Sequence, residues 1–220
     1  HYPELGVTTA NELHLPVGRP VSLRLESGDV IHSFWVPQLG GKRDVNPVVA
    51  MPDGAEAKRN WMHFTIKEEG VFWGQCAEFC GLSHSLMRAR AQALSPADWD
   101  AWVSEQQAVA TVPAEGTPAY EGLLIYQNLC TSCHTVDYGE DSEFTNIRSD
   151  DLFRGPNLTH FASRNVFAGA YLPYEGLSYD DALEQWLANP PEVKPGSFMP
   201  NLGLNQTDID NLTAWLATLK

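Results

Sequence analysis

Two short runs hold all four cysteines of this chain, each pair with a histidine beside it. The first is Cys76-Ala77-Glu78-Phe79-Cys80-Gly81-Leu82-Ser83-His84-Ser85-Leu86-Met87, which places two thiols, an imidazole and a thioether within twelve residues. Soft sulfur donors combined with imidazole favour copper over magnesium or calcium. A blue-copper site needs one cysteine, whereas a second, four positions on, permits two thiolates to bridge two metal ions. His32, in Asp29-Val30-Ile31-His32-Ser33-Phe34-Trp35-Val36-Pro37, supplies another imidazole from an earlier segment. Zinc bound by Cys76, Cys80, His32 and His84 satisfies the same ligand count. A Cys76–Cys80 disulfide and a copper-delivery site also remain open on spacing alone.

The second run, Cys130-Thr131-Ser132-Cys133-His134, has the C-x-x-C-H spacing of covalent haem c attachment. Two thiols add to the two vinyl groups of one porphyrin, and the adjacent histidine is then held against the iron. A redox disulfide or half a zinc site fits the same five residues, but no second C-x-x-C or histidine pair completes a zinc site here. Met199, in Lys194-Pro195-Gly196-Ser197-Phe198-Met199-Pro200, lies in an irregular stretch where a thioether can turn inward, and is the expected sixth ligand. His/Met ligation raises the reduction potential, which suits electron transfer. His160 is the rival sixth ligand.

The elements around the two runs differ in kind. Glu12 to Val17, Val21 to Leu25, Val30 to Val36, Asn60 to Ile66 and Gly70 to Gln75 read as short strands, with Gly, Pro and Asp turns such as Met51-Pro52-Asp53-Gly54 between them. Strands at such spacing predict a small sandwich or barrel. A helix follows, capped by Ser95 with Pro96 in its first turn and Trp99, Trp102 and Val103 on one face. Residues 109–118 are small and Pro/Gly-bearing and read as a linker between domains at 1–108 and 119–220. Beyond it, helices are predicted over Tyr120 to Cys130, Asp181 to Asn189 and Thr207 to Leu219, the last opened by a Thr207-x-x-Asp210 cap. The acidic stretch Asp137 to Asp151 reads as a surface insertion.

The C-x-E-x-C-G-x-x-H-x-x-M run, preceded by Val71-Phe72-Trp73-Gly74-Gln75, resembles the CuA loop of cytochrome c oxidase subunit II. The His32 segment, followed by Lys42-Arg43-Asp44, resembles that family's histidine strand, and the likeness covers roughly residues 12–105. It implies an all-β, cupredoxin-like Greek-key barrel holding two coppers bridged by Cys76 and Cys80, with His32 and His84 on one copper each. Met87 and the Glu78 carbonyl would complete the shells, and the Glu78 side chain would face the catalytic subunit. The second half resembles an all-α class I cytochrome c, in which the Pro156 carbonyl would hold the Nδ1–H of His134 and the helices around Tyr126 and Trp215 would cross behind the haem. The order of the two resembles the caa-type haem–copper oxidases. The resemblance therefore implies an electron relay from a soluble donor such as a cytochrome c, through haem c and CuA, to the catalytic subunit I, with the oxygen chemistry lying elsewhere. It also implies an extracytoplasmic, periplasmic site and a membrane anchor ahead of His1. A chain opening on His is expected to be processed or truncated. A nitrous-oxide-reductase-like fragment and a copper-delivery protein are the other functions considered.

Composition agrees with this class. A hydrophobic content of 43% with 19% charged residues is that of folded domains rather than disordered chain. Charge is unevenly placed: residues 1–110 carry 13 acidic and nine basic side chains, residues 111–220 carry 15 and five. Such a field repels nucleic acid and anionic membrane, and steers a basic partner toward the second half.

Overall fold

The computed structural model describes residues 1–47, 60–146 and 155–220. The expected Met51–Gly54 turn, and the insertion beyond Asn146, lie outside the described residues. The chain divides into two compact units: Asn11–Ala101 with Gly169–Tyr171, and His1–Ala10 with Trp102–Ala168 and Leu172–Lys220. Ala110, from the stretch expected as a linker, is buried and donates its N–H to the Asp137 carbonyl at 2.8 Å, so it packs within the second unit.

The first unit is strand-rich. Its strands are β1 (Glu12–Pro16), β2 (Pro20–Leu25), β3 (His32–Trp35), β4 (Arg43–Val45), β5 (Asn60–Thr65), β6 (Gly70–Cys76) and β7 (Arg88–Leu94). Five form one sheet in the order β1-β7-β6-β3-β4, and β2 pairs with β5 in a second. Only β1 and β7 run parallel among these pairs; the rest are antiparallel. Alternation puts Leu15, Val36, Leu39, Ile66, Ala91 and Ala93 into one core, with Phe34, Phe64 and Phe72 against it. The parallel register sets Glu12 opposite Arg90. Both are buried, and Arg90 Nη1 donates to Glu12 Oε1 at 3.1 Å. His14 lies beside them, and burial first, then the Arg90 charge, lowers its pKa to about 4.

The strands β4 and β7 are not among the expected ones. β7 reads Arg-Ala-Arg-Ala-Gln-Ala-Leu, with none of the β-branched or aromatic residues that favour strands. Pairing with β6 on one side and β1 on the other overrides that preference.

After the sheets, α1 (Pro96–Gln106) starts as expected, with Ser95 Oγ accepting the Asp98 N–H at 3.1 Å. The second unit is built on α2 (Pro118–Leu129), α3 (Tyr179–Ala188), the short α4 (Pro190–Val193) and α5 (Gln206–Leu216). Thr117 caps α2 through the Tyr120 N–H. The cap of α5 is Asn205 with Asp208, not the expected Thr207 with Asp210: Asn205 accepts the Asp208 N–H and Asp208 accepts the Asn205 N–H. The same motif two residues earlier wins because Asn is an equally good cap and lengthens the helix by about half a turn. α2 and α5 cross in close contact. A Cβ on Gly122 would lie 2.1 Å from the Asn211 carbonyl oxygen, so only glycine permits the approach. Tyr126 and Trp215, both fully buried, pack there with ring planes tilted by 31° and centroids 4.5 Å apart. Leu129, expected on the buried face of α2, is instead exposed, because it lies in the last turn beside the Cys130 thiol.

Candidate metal and haem centres

Strand pairing assembles the first donor set from distant sequence. His32 opens β3 and Cys76 closes β6, where it pairs with Phe34, two residues from the histidine. His32 Nδ1 consequently lies 3.8 Å from Cys76 Sγ. The loop after β6 then turns back: the Ala77 N–H donates to the Ser33 carbonyl at 3.0 Å and the Cys76 N–H to the Met87 carbonyl at 2.9 Å. Within it, Cys80 Sγ is 3.8 Å from Cys76 Sγ and 3.6 Å from His84 Nδ1. The Glu78 carbonyl oxygen is 3.2 Å from Cys76 Sγ, while the Glu78 side chain is exposed. Met87 follows the 3-10 turn His84–Leu86 and is half-buried. Phe79 and Leu82 stand exposed on the loop, and the Phe79 ring meets His84 edge-on at 5.7 Å.

The two sulfurs are not bonded to each other, and each has an imidazole nitrogen within 4 Å, His32 Nδ1 at 3.8 Å from Cys76 and His84 Nδ1 at 3.6 Å from Cys80. This is the donor arrangement two bridged soft ions require, and His32, Cys76 and Cys80 fall within 4.8 Å of one another. The thiols differ in acidity. Burial raises Cys76, but hydrogen bonds from its backbone surroundings and from His32 and His84 outweigh it and bring the thiol to about 7. Burial, with Cys76 alongside, pushes Cys80 up to about 11.

Asp29 is a residue that motif reading passed over. Its Oδ1 accepts from His32 Nε2 at 2.7 Å, and also from the Val30 N–H and the Ser27 hydroxyl at 2.7 and 2.9 Å. A carboxylate on Nε2–H leaves the Nδ1 lone pair for a metal. The only sequence signal is an acidic residue three positions before the histidine.

The second donor set sits where α2 ends. Cys130 caps the helix, and its carbonyl accepts the N–H groups of Cys133 and His134 at 3.0 and 2.8 Å. That turn brings both thiols and the imidazole together. His134 Nδ1 donates to the Pro156 carbonyl at 2.8 Å, which leaves Nε2 for iron. The ring lies on Gly155, where a Cβ would come within 2.4 to 2.8 Å of its atoms, a cradle that fits an imidazole held in one plane. Burial lowers the His134 pKa, favouring the neutral ring that ligation needs. Burial, with Cys133 second, raises Cys130 to about 11. Met199 lies in the loop between α4 and α5, half-buried, its N–H bonded to the Ser197 hydroxyl. His160, the rival, is buried, with Nδ1 on the Lys220 carbonyl at 3.0 Å.

Residues 5–94 match the family described as cytochrome c oxidase subunit II, periplasmic domain, and residues 119–220 match cytochrome c. The chain is a subunit II periplasmic domain joined to a cytochrome c domain. Cytochrome c oxidase subunit 2 of Alkalihalophilus pseudofirmus is 36% identical over 221 residues, covering all of this chain and 57% of the relative. That of Bacillus sp. strain PS3 is 34% identical, covering all of this chain and 58% of the relative. The chain thus spans under three fifths of these relatives' length. Among solved structures, the periplasmic domain of subunit II of cytochrome oxidase (CoxB) of Bradyrhizobium japonicum is 28% identical over 49% of this chain and 70% of that one, with a TM-score of 0.39. The first unit is a cupredoxin-like subunit II domain and the second a helical cytochrome c, and these domain types imply CuA copper and haem c respectively. Both donor sets fit those groups. Among the described residues, no helix is long and apolar enough to cross a membrane.

Proposed function

We propose that this chain is the electron-entry arm of a caa-type terminal cytochrome c oxidase. It accepts electrons from an external donor at its cytochrome c domain and delivers them from its subunit II domain to the catalytic subunit. Haem c and the dinuclear copper, when bound, supply two one-electron carriers whose oxygen chemistry partner lies on another chain. The residues here make no bonds in that chemistry; they hold ligand geometry. Cys130 and Cys133 would tether the haem, and His134, fixed by Pro156 and Gly155, would hold its iron together with Met199. Cys76 and Cys80 would hold the coppers with His32, oriented by Asp29, and His84, while Met87 and the Glu78 carbonyl would complete the set. The observation that carries this reading is the pair of thiols 3.8 Å apart, each flanked by an imidazole, in one chain with a C-x-x-C-H turn whose histidine is already anchored.

The site of action we infer is the extracytoplasmic face of a bacterial plasma membrane. The donor is basic, because the acidic excess lies in the second half of the chain. A nitrous-oxide-reductase-like fragment and a copper-delivery protein are disfavoured by the haem domain and by oxidase subunits that align along the whole chain.

The test is a metal count beside an optical spectrum of the protein matured with copper and haem. Two coppers per iron with broad near-infrared absorption from a mixed-valence pair supports the relay. One zinc, or no copper, per iron removes the copper assignment. Copper lost on dialysis against a chelator indicates delivery instead.

A further inference from the structure

The segment that follows the haem-attachment turn has polar backbone groups on two sides. On one side it forms a parallel bridge, Thr135 with Asn157, in which the Thr135 carbonyl accepts the Leu158 N–H at 2.8 Å. The groups facing the other way, the His134 carbonyl and the Val136 N–H, have no strand beside them among the described residues. A side chain from the acidic insertion takes that place. Asn146 Nδ2 donates to the His134 carbonyl at 2.8 Å, and Asn146 Oδ1 accepts the Val136 N–H at 2.9 Å. One amide side chain thereby reproduces the paired donor and acceptor of a neighbouring peptide unit. The Asn146 N–H adds a bond to the Val136 carbonyl at 3.1 Å. The Tyr126 hydroxyl closes the ring of contacts, bonded to Asn146 Oδ1 at 2.8 Å and reaching the His134 carbonyl at 3.2 Å. Tyr126 and Val136 are both fully buried, so these amide and hydroxyl groups cannot exchange their partners for water without cost.

We propose that Asn146 is a positioning residue for the axial ligand, the insertion acting as a brace that sets the His134 ring. His134 is then held by its thiol-bearing turn, by Pro156 on Nδ1, and on its carbonyl by Asn146 with the Tyr126 hydroxyl. Backbone rotation at His134 would swing the ring about the Pro156 bond, and Asn146 removes that freedom. The inference rests on His134 being the axial ligand.

The experiment uses the haem-bearing protein. Proton NMR of the ferric form reports the axial imidazole plane through the spread of the haem methyl shifts. A wild-type spectrum without an axial imidazole overturns the ligation reading and this proposal together. With ligation established, Asn146→Ala is expected to alter the methyl spread, shift the haem reduction potential, and speed Val136 amide exchange by roughly five- to tenfold. Thr145→Ala is the control, since Thr145 Oγ1 ties the same turn at the Tyr138 N–H and the Gly139 carbonyl. It should lower the melting temperature and leave spread and potential in place. An Asn146→Ala protein with wild-type spread and potential overturns the brace alone, as does a Thr145→Ala protein that shifts both equally.

Discussion

At the scale of single residues, the groups that orient ligands matter as much as the ligands. Asp29 holds the His32 ring by one 2.7 Å bond and is itself held by two more. Asp29→Asn should weaken copper retention by about 10- to 100-fold, read by competition with a chelator. Unchanged retention would remove Asp29 from the site. Gly155→Ala drives a methyl into the His134 ring, so haem should be lost or its low-spin spectrum disturbed even where the protein still folds. His14 tests burial beside a buried cation. Its folded pKa of about 4 lies below the ordinary 6.5, so the unfolded chain binds the proton more readily across that interval. Its contribution is therefore complete above about pH 6.5 and is lost as pH falls toward about 4. Between about pH 7 and about pH 5 the loss should be about 2 kcal/mol, measured by urea denaturation and absent in His14→Gln.

Elements bring their own dependencies, and the crossing of α2 with α5 is the sharpest. Gly122→Ala places a Cβ against the Asn211 carbonyl and the Trp215 Cβ, both backbone-anchored, so the helices must part. A loss of about 1–3 kcal/mol or more is expected in denaturant titration. Asn205→Ala should cost about 1 kcal/mol, and Thr207→Ala much less, since the cap is formed at Asn205. The helices were legible because their apolar spacing is local: Leu123, Tyr126, Leu183, Leu187, Leu212, Trp215 and Leu219 are all buried. The strand β7 was not, because Ala and Arg in alternation carry no local preference for it. Its partners, thirteen and more residues away, supply the reason for its conformation.

Across the whole chain, charge is the property that sequence states most directly. With a net charge of −14, association with a basic donor should slow as ionic strength rises, because screening falls from about 30 Å to about 8 Å between about 0.01 and 0.15 M salt. Stopped-flow reduction of the haem across that range measures it, and a flat profile would discard the basic donor. Buried charge behaves differently: Arg90 and Glu12 are sheltered from that screening by the sheet that pairs them.

By itself, the sequence determined what is contiguous. The spacing Cys76/Cys80/His84/Met87 and the turn Cys130–His134 named the donors, since a loop of a few residues keeps its side chains close in any fold. The helix stripes and most strands followed from periodicity. Tertiary structure decided how distant groups meet the donors, and added ones the sequence did not name. Pairing of β3 with β6 sets His32 against Cys76, a separation of 44 residues, and the chain beyond the haem turn brings Asn146, Gly155 and Pro156 to His134. His32 and Pro156 were named beforehand by their segments' resemblance, whereas Asn146 and Gly155 carry no local signature, because an Asn or a Gly in a polar stretch reads as loop. Their roles come from hydrogen-bond geometry and close approach, which exist only once the units are packed.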